Sequence, residues 1–183
     1  MQHIELNGQV RAASGKAALK ALRAEGLVPC NLYGCGMENV LFTVNEKELK
    51  LVTDTPKAYI VDLKLDGKTY PCVLHELQWH PVSDKCLHVD FLAVNDTKPV
   101  TISVPLVITG HAIGVQQGGK FYQNTRAVKI SAALNNLPDD VTVDISSLEL
   151  GKRVKAGDIK AENVTIVTDK DTIICGVKAT RNK

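Results

Sequence analysis

Hydrophobic positions in the first half of the chain mostly recur at every second residue over short runs, the period of a half-buried strand. The clearest run is Leu87-His88-Val89-Asp90-Phe91. Leu87, Val89 and Phe91 fall on one side and are assigned to the core, while His88 and Asp90 share the other. Ile4 to Val10, Pro29 to Gly34 and Val40 to Val44 read as further strands. Ala58 to Leu65 and Lys68 to Gln78 read as two more, joined by Asp66-Gly67, a strong two-residue hairpin signal. His75 is assigned to local hydrogen bonding within that hairpin.

Two segments carry helical spacing instead. Lys16 to Glu25 reads as a helix with Ser14 as its cap and Gly26 as its terminator. At 100° per residue, Lys16, Lys20 and Arg23 lie within about 60° of one another, with Leu19 and Leu22 on the adjoining core stripe. Asn45 opens a second short helix through Val52, with its side chain expected to accept from the Glu48 amide.

The pattern changes after Phe91. Asn95-Asp96-Thr97-Lys98-Pro99 is a polar, proline-punctuated connection, which divides the chain into domains at residues 1–93 and 94–183. Beyond it lie Val/Ile/Thr-rich runs at Val100–Ile108, Phe121–Asn124, Ala127–Ser131, Val141–Ile145, Val164–Val167 and Thr172–Val177. Such spacing predicts an antiparallel sandwich or barrel, with Gly110 to Gly119 a mobile loop. The fold class is therefore mostly β with short helices.

Composition narrows the chemistry. With 183 residues, 44% hydrophobic and 23% charged, the chain holds enough apolar material for one large or two small cores. It has no apolar run of membrane-spanning length and its first residues lack a signal-peptide pattern, so a cytosolic, non-membrane protein is expected. The five cysteines show no C-x-x-C spacing and are expected to be small buried thiols rather than disulfides or metal ligands. Gly34-Cys35-Gly36 lacks the third glycine and following helix of a dinucleotide site, so no cofactor is expected.

Charge adds one local feature. Residues 1 to 93 carry 10 basic against 11 acidic side chains and residues 94 to 183 carry 12 against 9, so neither half is strongly basic. Only Gly8 to Arg23 concentrates cations, with Arg11, Lys16, Lys20 and Arg23 and no acid. Beside His88 and Asp90, which present donor and acceptor together, this suits base edges and riboses as well as proton transfer.

The ordered fragments Val10-Arg11, Gly15-Lys16, Leu22-Arg23, Pro29, Tyr33-Gly34, Gln78-Trp79-His80-Pro81 and Leu87-His88-Val89-Asp90-Phe91 resemble the twenty-fifth large-subunit ribosomal protein family of bacteria. Val104-Pro105-Leu106, Gly114-Val115, Gly118-Gly119, Leu137-Pro138, Val143-Asp144-Ile145 and Leu148-Glu149-Leu150-Gly151 resemble the second domain of its long form, the general stress protein or CTC type. The resemblance spans essentially the whole chain. It implies a six-stranded β barrel that binds 5S ribosomal RNA at loop E, followed by an all-β domain whose partner it leaves open, with neighbouring ribosomal proteins as the candidate. The contact residues it implies are Arg11, Tyr33, His88 and Asp90, with Lys16, Lys20 and Arg23 beside them and Gly34, Gln78 and His80 completing the set. Lys20 and Ala21 stand where relatives can carry consecutive arginines, which reduces the expected number of bidentate phosphate contacts.

Three readings follow. The first is a non-catalytic constituent of the large ribosomal subunit, and the second an RNA-binding stress protein acting off the ribosome. The third is an enzyme with His88 and Asp90 as an acid/base pair and Cys30 or Cys86 as nucleophile, which lacks any oxyanion site, metal set or cofactor loop.

Overall fold

The structure, a computed structural model, describes residues 2–55, 57–95, 98–159 and 164–180. The chain divides into two compact units, residues 1–98 and 99–183. Of the expected connection, Asp96 and Thr97 lie outside the described residues.

The first unit runs β1 (Gln2–Val10), α1 (Lys16–Ala24), β2 (Leu27–Gly34), β3 (Met37–Asn45), α2 (Glu46–Thr53), β4 (Tyr59–Leu65), β5 (Lys68–Trp79) and β6 (Cys86–Ala93). Its strands close into a barrel in the order β1-β3-β2-β6-β5-β4. Closure depends on β1, which pairs antiparallel with β3 at Gly8–Val10 and parallel with β4 at Gln2–Asn7. At the changeover, a Cβ on Gly8 would come within 2.7 Å of Leu65 Cδ2 and 2.8 Å of Phe42 Cδ2, so a larger residue there would have to displace these two core side chains. Leu6, Leu32, Phe42, Leu63, Val89 and Phe91 pack inside, with the Phe42 and Phe91 rings 5.8 Å apart. Burial of these alternating side chains is what fixes the register of every strand.

Both helices form where expected, but their caps differ. Gly15, not Ser14, takes the N-cap position of α1 and gives no side-chain bond. Asn45 caps α2 by accepting from the Lys47 amide at 2.9 Å rather than from Glu48. Helix α2 buries Leu49 and Val52 against the barrel, whereas α1 has no fully buried residue and leaves Leu19 and Leu22 half-buried. The expected core stripe of α1 is therefore only a docking edge. Leu87 is likewise half-buried rather than core, because the pairing of β5 with β6 slips between Gln78 and Trp79, opposite it.

The second unit contains β7 (Val100–Thr109), α3 (Ile113–Gln116), β8 (Lys120–Gln123), β9 (Ala127–Ala132), β10 (Val141–Asp144), β11 (Arg153–Lys155), β12 (Thr165–Ile166) and β13 (Ile173–Lys178). These form a four-stranded sheet, β10-β7-β9-β12, and a three-stranded sheet, β11-β13-β8. The purely antiparallel expectation is corrected by β10, which runs parallel to β7. The expected Gly110–Gly119 loop contains α3, whose Gly114 is buried so close to Leu150 N that a Cβ would lie 2.6 Å from it. Packing, not ligand approach, requires that glycine.

Candidate nucleic-acid interface

Of the predicted contact residues, Arg11, Tyr33, Gln78, His88 and Asp90 come together on the outer surface of the first barrel. Arg11 N donates to Leu41 O at 2.9 Å, Leu41 is paired with Asn31, Asn31 with Asp90, and Asp90 with Glu76. One row thus crosses β1's end, β3, β2, β6 and β5. Residues two apart on these strands share that face, so Tyr33 joins Asn31, and His88, paired with Gln78, joins Asp90.

Within the row, His88 Nδ1 lies 3.5 Å from Asp90 Oδ1, with side chains 25% and 21% exposed. The alternation read from the sequence is therefore correct for Val89 and Phe91 inside and for His88 and Asp90 outside. Arg11 and Asn31 are half-buried, and Arg11 Nε and Asn31 Oδ1 are buried atoms without a hydrogen-bond partner. Arg11 Nη1 makes only long contacts of 3.4 Å to Ala12 O and Ser14 Oγ.

Tyr33 hydrogen-bonds His75 Nδ1 at 3.1 Å, with the two rings edge to face at a centroid distance of 6.1 Å. His75 reaches it because the β5–β6 pairing slips between Leu74 and Glu76. Its partner is 42 residues away in sequence, which corrects the expectation of a local bond. Burial first, then the Asp90 and Glu76 carboxylates, push the Tyr33 phenol above its ordinary range, so it remains a neutral donor at physiological pH.

The other expected residues lie outside this row. Lys16 and Lys20 are exposed and have no ion-pair partner among the described residues. Arg23 instead turns inward, where its Nε donates to Leu87 O at 3.0 Å. His80 Nδ1 accepts from the Val82 and Ser83 amides at 3.3 and 3.2 Å, which fixes its other ring nitrogen as the protonated one and shapes the loop to β6. Gly34 has φ +116, and a Cβ there would meet Leu92 Cδ1 at 2.8 Å and Ala93 O at 3.0 Å. Asn31, His75 and Glu76 belong to the face but were not expected there. Asn31 had a visible signal, as the polar outward position of a strand whose neighbours Cys30 and Leu32 are apolar.

The thiols expected as nucleophiles are unsuited to that role. Cys30 and Cys86 are buried, and burial pushes both above the ordinary thiol range. Cys35, expected to be buried, is exposed at the turn after β2 and donates to Ala93 O at 3.2 Å. Among the described residues no cluster of His, Cys, Asp or Glu could hold a metal ion, and no helix is long and apolar enough to cross a membrane.

A closed six-stranded barrel bearing a polar face and a docked basic helix, followed by a second unit of two sheets, defines a two-unit, mostly β protein. The family comparisons then specify which. Residues 6–91 match the ribosomal L25p family and residues 99–181 match the C-terminal domain of ribosomal protein TL5. The chain is 40% identical over 182 residues to large ribosomal subunit protein bL25 of Porphyromonas gingivalis, covering 99% of this chain and 95% of the relative. It is 41% identical over 186 residues to the bL25 protein of Bacteroides thetaiotaomicron, covering 99% and 94%. A third relative, from Cytophaga hutchinsonii, is 41% identical over 182 residues, covering 100% and 94%. The chain belongs to the ribosomal L25p family, in the form that carries a TL5-type second domain.

Proposed function

We propose that the protein is a non-catalytic, cytoplasmic constituent of the large ribosomal subunit that binds the loop E region of 5S ribosomal RNA through this barrel face. The observation that carries the reading is the pair of unsatisfied atoms in the row, a donor at Arg11 Nε and an acceptor at Asn31 Oδ1. Buried polar groups without partners cost free energy that a ligand can recover, and both side chains are partly exposed, so a rotamer change brings each to the surface.

The rest of the face fits RNA. An A-form helix hides its major groove and offers 2′-hydroxyls, base edges and phosphates across its minor groove. Lys16 and Lys20 supply cations for phosphate, and Gln78 and Tyr33 supply neutral donors. Asp90 would be repelled by phosphate, so it accepts from a base amino group or a 2′-hydroxyl while orienting His88.

Chemical footprinting of 5S rRNA with the purified chain tests the reading, with sedimentation of tagged protein beside it. Protection at loop E together with co-sedimentation with large subunits is expected. Protection without co-sedimentation would place the protein off the ribosome, and no specific protection would overturn RNA binding by this face.

A further inference from the structure

The second unit carries a cationic face of its own. In its three-stranded sheet, β8 pairs with β13 so that Lys120 stands opposite Lys178, Phe121 opposite Val177 and Tyr122 opposite Gly176. On the other side of β13, Arg153 of β11 also stands opposite Gly176. Alternation sends Val177 into the interior and gathers Lys120, Tyr122, Arg153 and Lys178 on the opposite surface, where the three cations are exposed.

Tyr122 is seated there by its neighbours. A Cβ on Gly176 would fall 2.7 Å from the Tyr122 hydroxyl and 2.9 Å from the ring carbon that bears it, so the absence of a side chain at 176 lets the ring lie across β13. Lys178 Nζ sits 4.4 Å from the ring centroid. Like charges directly opposite each other on paired strands repel, yet Lys120 and Lys178 occupy that arrangement. Among the described residues none of Lys120, Arg153 and Lys178 has an ion-pair partner. Lys155, on the same strand as Arg153, is held by Asp171 at 2.8 Å. The fold neutralises one end of the sheet and leaves the other positive.

We propose that this face binds the phosphate backbone of RNA, independently of the barrel face. An anion between Lys120 and Lys178 converts their repulsion into two attractions, and the Tyr122 hydroxyl adds a donor between them and Arg153. A protein partner fits less well, because the cores of protein interfaces are depleted in lysine and here two unpaired lysines stand directly opposite each other. The proposal rests on the reading of the protein as an RNA-binding ribosomal component but concerns the other unit.

Residue-resolved NMR of the full chain tests it, with a mixed-sequence RNA duplex of about 16 base pairs that lacks an internal loop. The amides of Lys120, Tyr122, Arg153, Gly176 and Lys178 should shift saturably. The double variant Lys120→Gln/Lys178→Gln should weaken that response about tenfold at low salt and lower the salt slope by roughly two. No shift in these amides at millimolar duplex, or no weakening in the double variant, overturns the proposal. A response to poly-glutamate as strong as to the duplex overturns it in favour of an acidic protein partner. Arg11 and His88 amides, titrated separately with 5S rRNA, report on the barrel face, so failure of one reading is distinguishable from failure of the other.

Discussion

Arg23 Nε donates to the backbone carbonyl of Leu87 at 3.0 Å, tying the C-terminal turn of α1 to the first residues of β6. Because α1 has no fully buried side chain, this bond and the half-buried Leu19 and Leu22 are what hold the basic helix to the barrel.

Arg23→Ala should therefore act on stability as well as on RNA. Loss of a part-buried, charge-assisted bond costs about 1–3 kcal/mol, whereas Lys20→Ala on the exposed face should cost no more than about 0.5 kcal/mol. Both should weaken 5S rRNA binding, Lys20→Ala through one fewer counterion released and Arg23→Ala through the loosened helix. Denaturant midpoints and salt-dependent affinities of the two variants separate the roles. Equal midpoints would mean that the Arg23–Leu87 bond is not what docks α1.

This division of labour marks the limit of what the residues alone disclose. Period-two alternation identified every strand of the first unit and placed His88 and Asp90 outside, because each such inference needs only nearest neighbours. Barrel closure depends on the changeover of β1 between β3 and β4 at Gly8, a register relation that no local pattern carries, and it was anticipated only through family resemblance. Helical periodicity placed Arg23 on the same stripe as Lys16 and Lys20 but could not disclose a carbonyl 64 residues away. The bond from His75 to Tyr33 departs from the local expectation for the same reason, since a slip in strand pairing is invisible in composition.

Gly34 offers a test of structural against direct contact. At φ +116, with Leu92 and Ala93 closing on the Cβ position, Gly34→Ala should destabilise the protein by about 1–3 kcal/mol and displace Tyr33. Gly36, at φ +79 with nothing near its Cβ position, should cost only about 1–2 kcal/mol when changed to alanine, from backbone strain alone. Thermal or denaturant unfolding measures the difference. Equal losses would show that the crowding at Gly34 is relieved without cost.

The buried thiols predict a loss of stability in alkali. Burial, then the Asp62 carboxylate, pushes the Cys72 thiol from 9.0 up to about 12, and Cys30 is raised further, chiefly by burial. In the unfolded chain both ionise above pH 9, while the native thiols hold their protons. The unfolded state then binds fewer protons, and stability, complete below pH 9, falls as pH rises towards 12. The slope is about 1.4 kcal/mol per pH unit for each thiol. Cys72→Ala should flatten that part of the curve by one thiol's share, and an unchanged slope would contradict the assignment. At neutral pH, Cys35 should be the thiol that iodoacetamide modifies in the native protein, since the other four are buried.

Asp90 is where recognition and stability separate most cleanly. It lies in the row between Asn31 and Glu76, 3.5 Å from His88, with its side chain 21% exposed and outside the barrel core. Asp90→Asn nearly preserves shape, so folding should change by about 0.5 kcal/mol or less. On the face, however, it replaces one acceptor oxygen with a donor amide. A base amino group or 2′-hydroxyl that donated to the carboxylate then meets a donor, a mismatch expected to cost about 1–3 kcal/mol of specific affinity by analogy with base-edge readout. His88→Ala should cost a similar amount, whereas Lys16→Ala should weaken binding to specific and random RNA alike. The measurement is a pair for each variant, the denaturant midpoint and the ratio of 5S rRNA to random-RNA affinity. If Asp90→Asn unfolds the barrel while its folded fraction keeps the wild-type ratio, Asp90 is a structural residue, and recognition must rest on Arg11, Asn31 and the lysines.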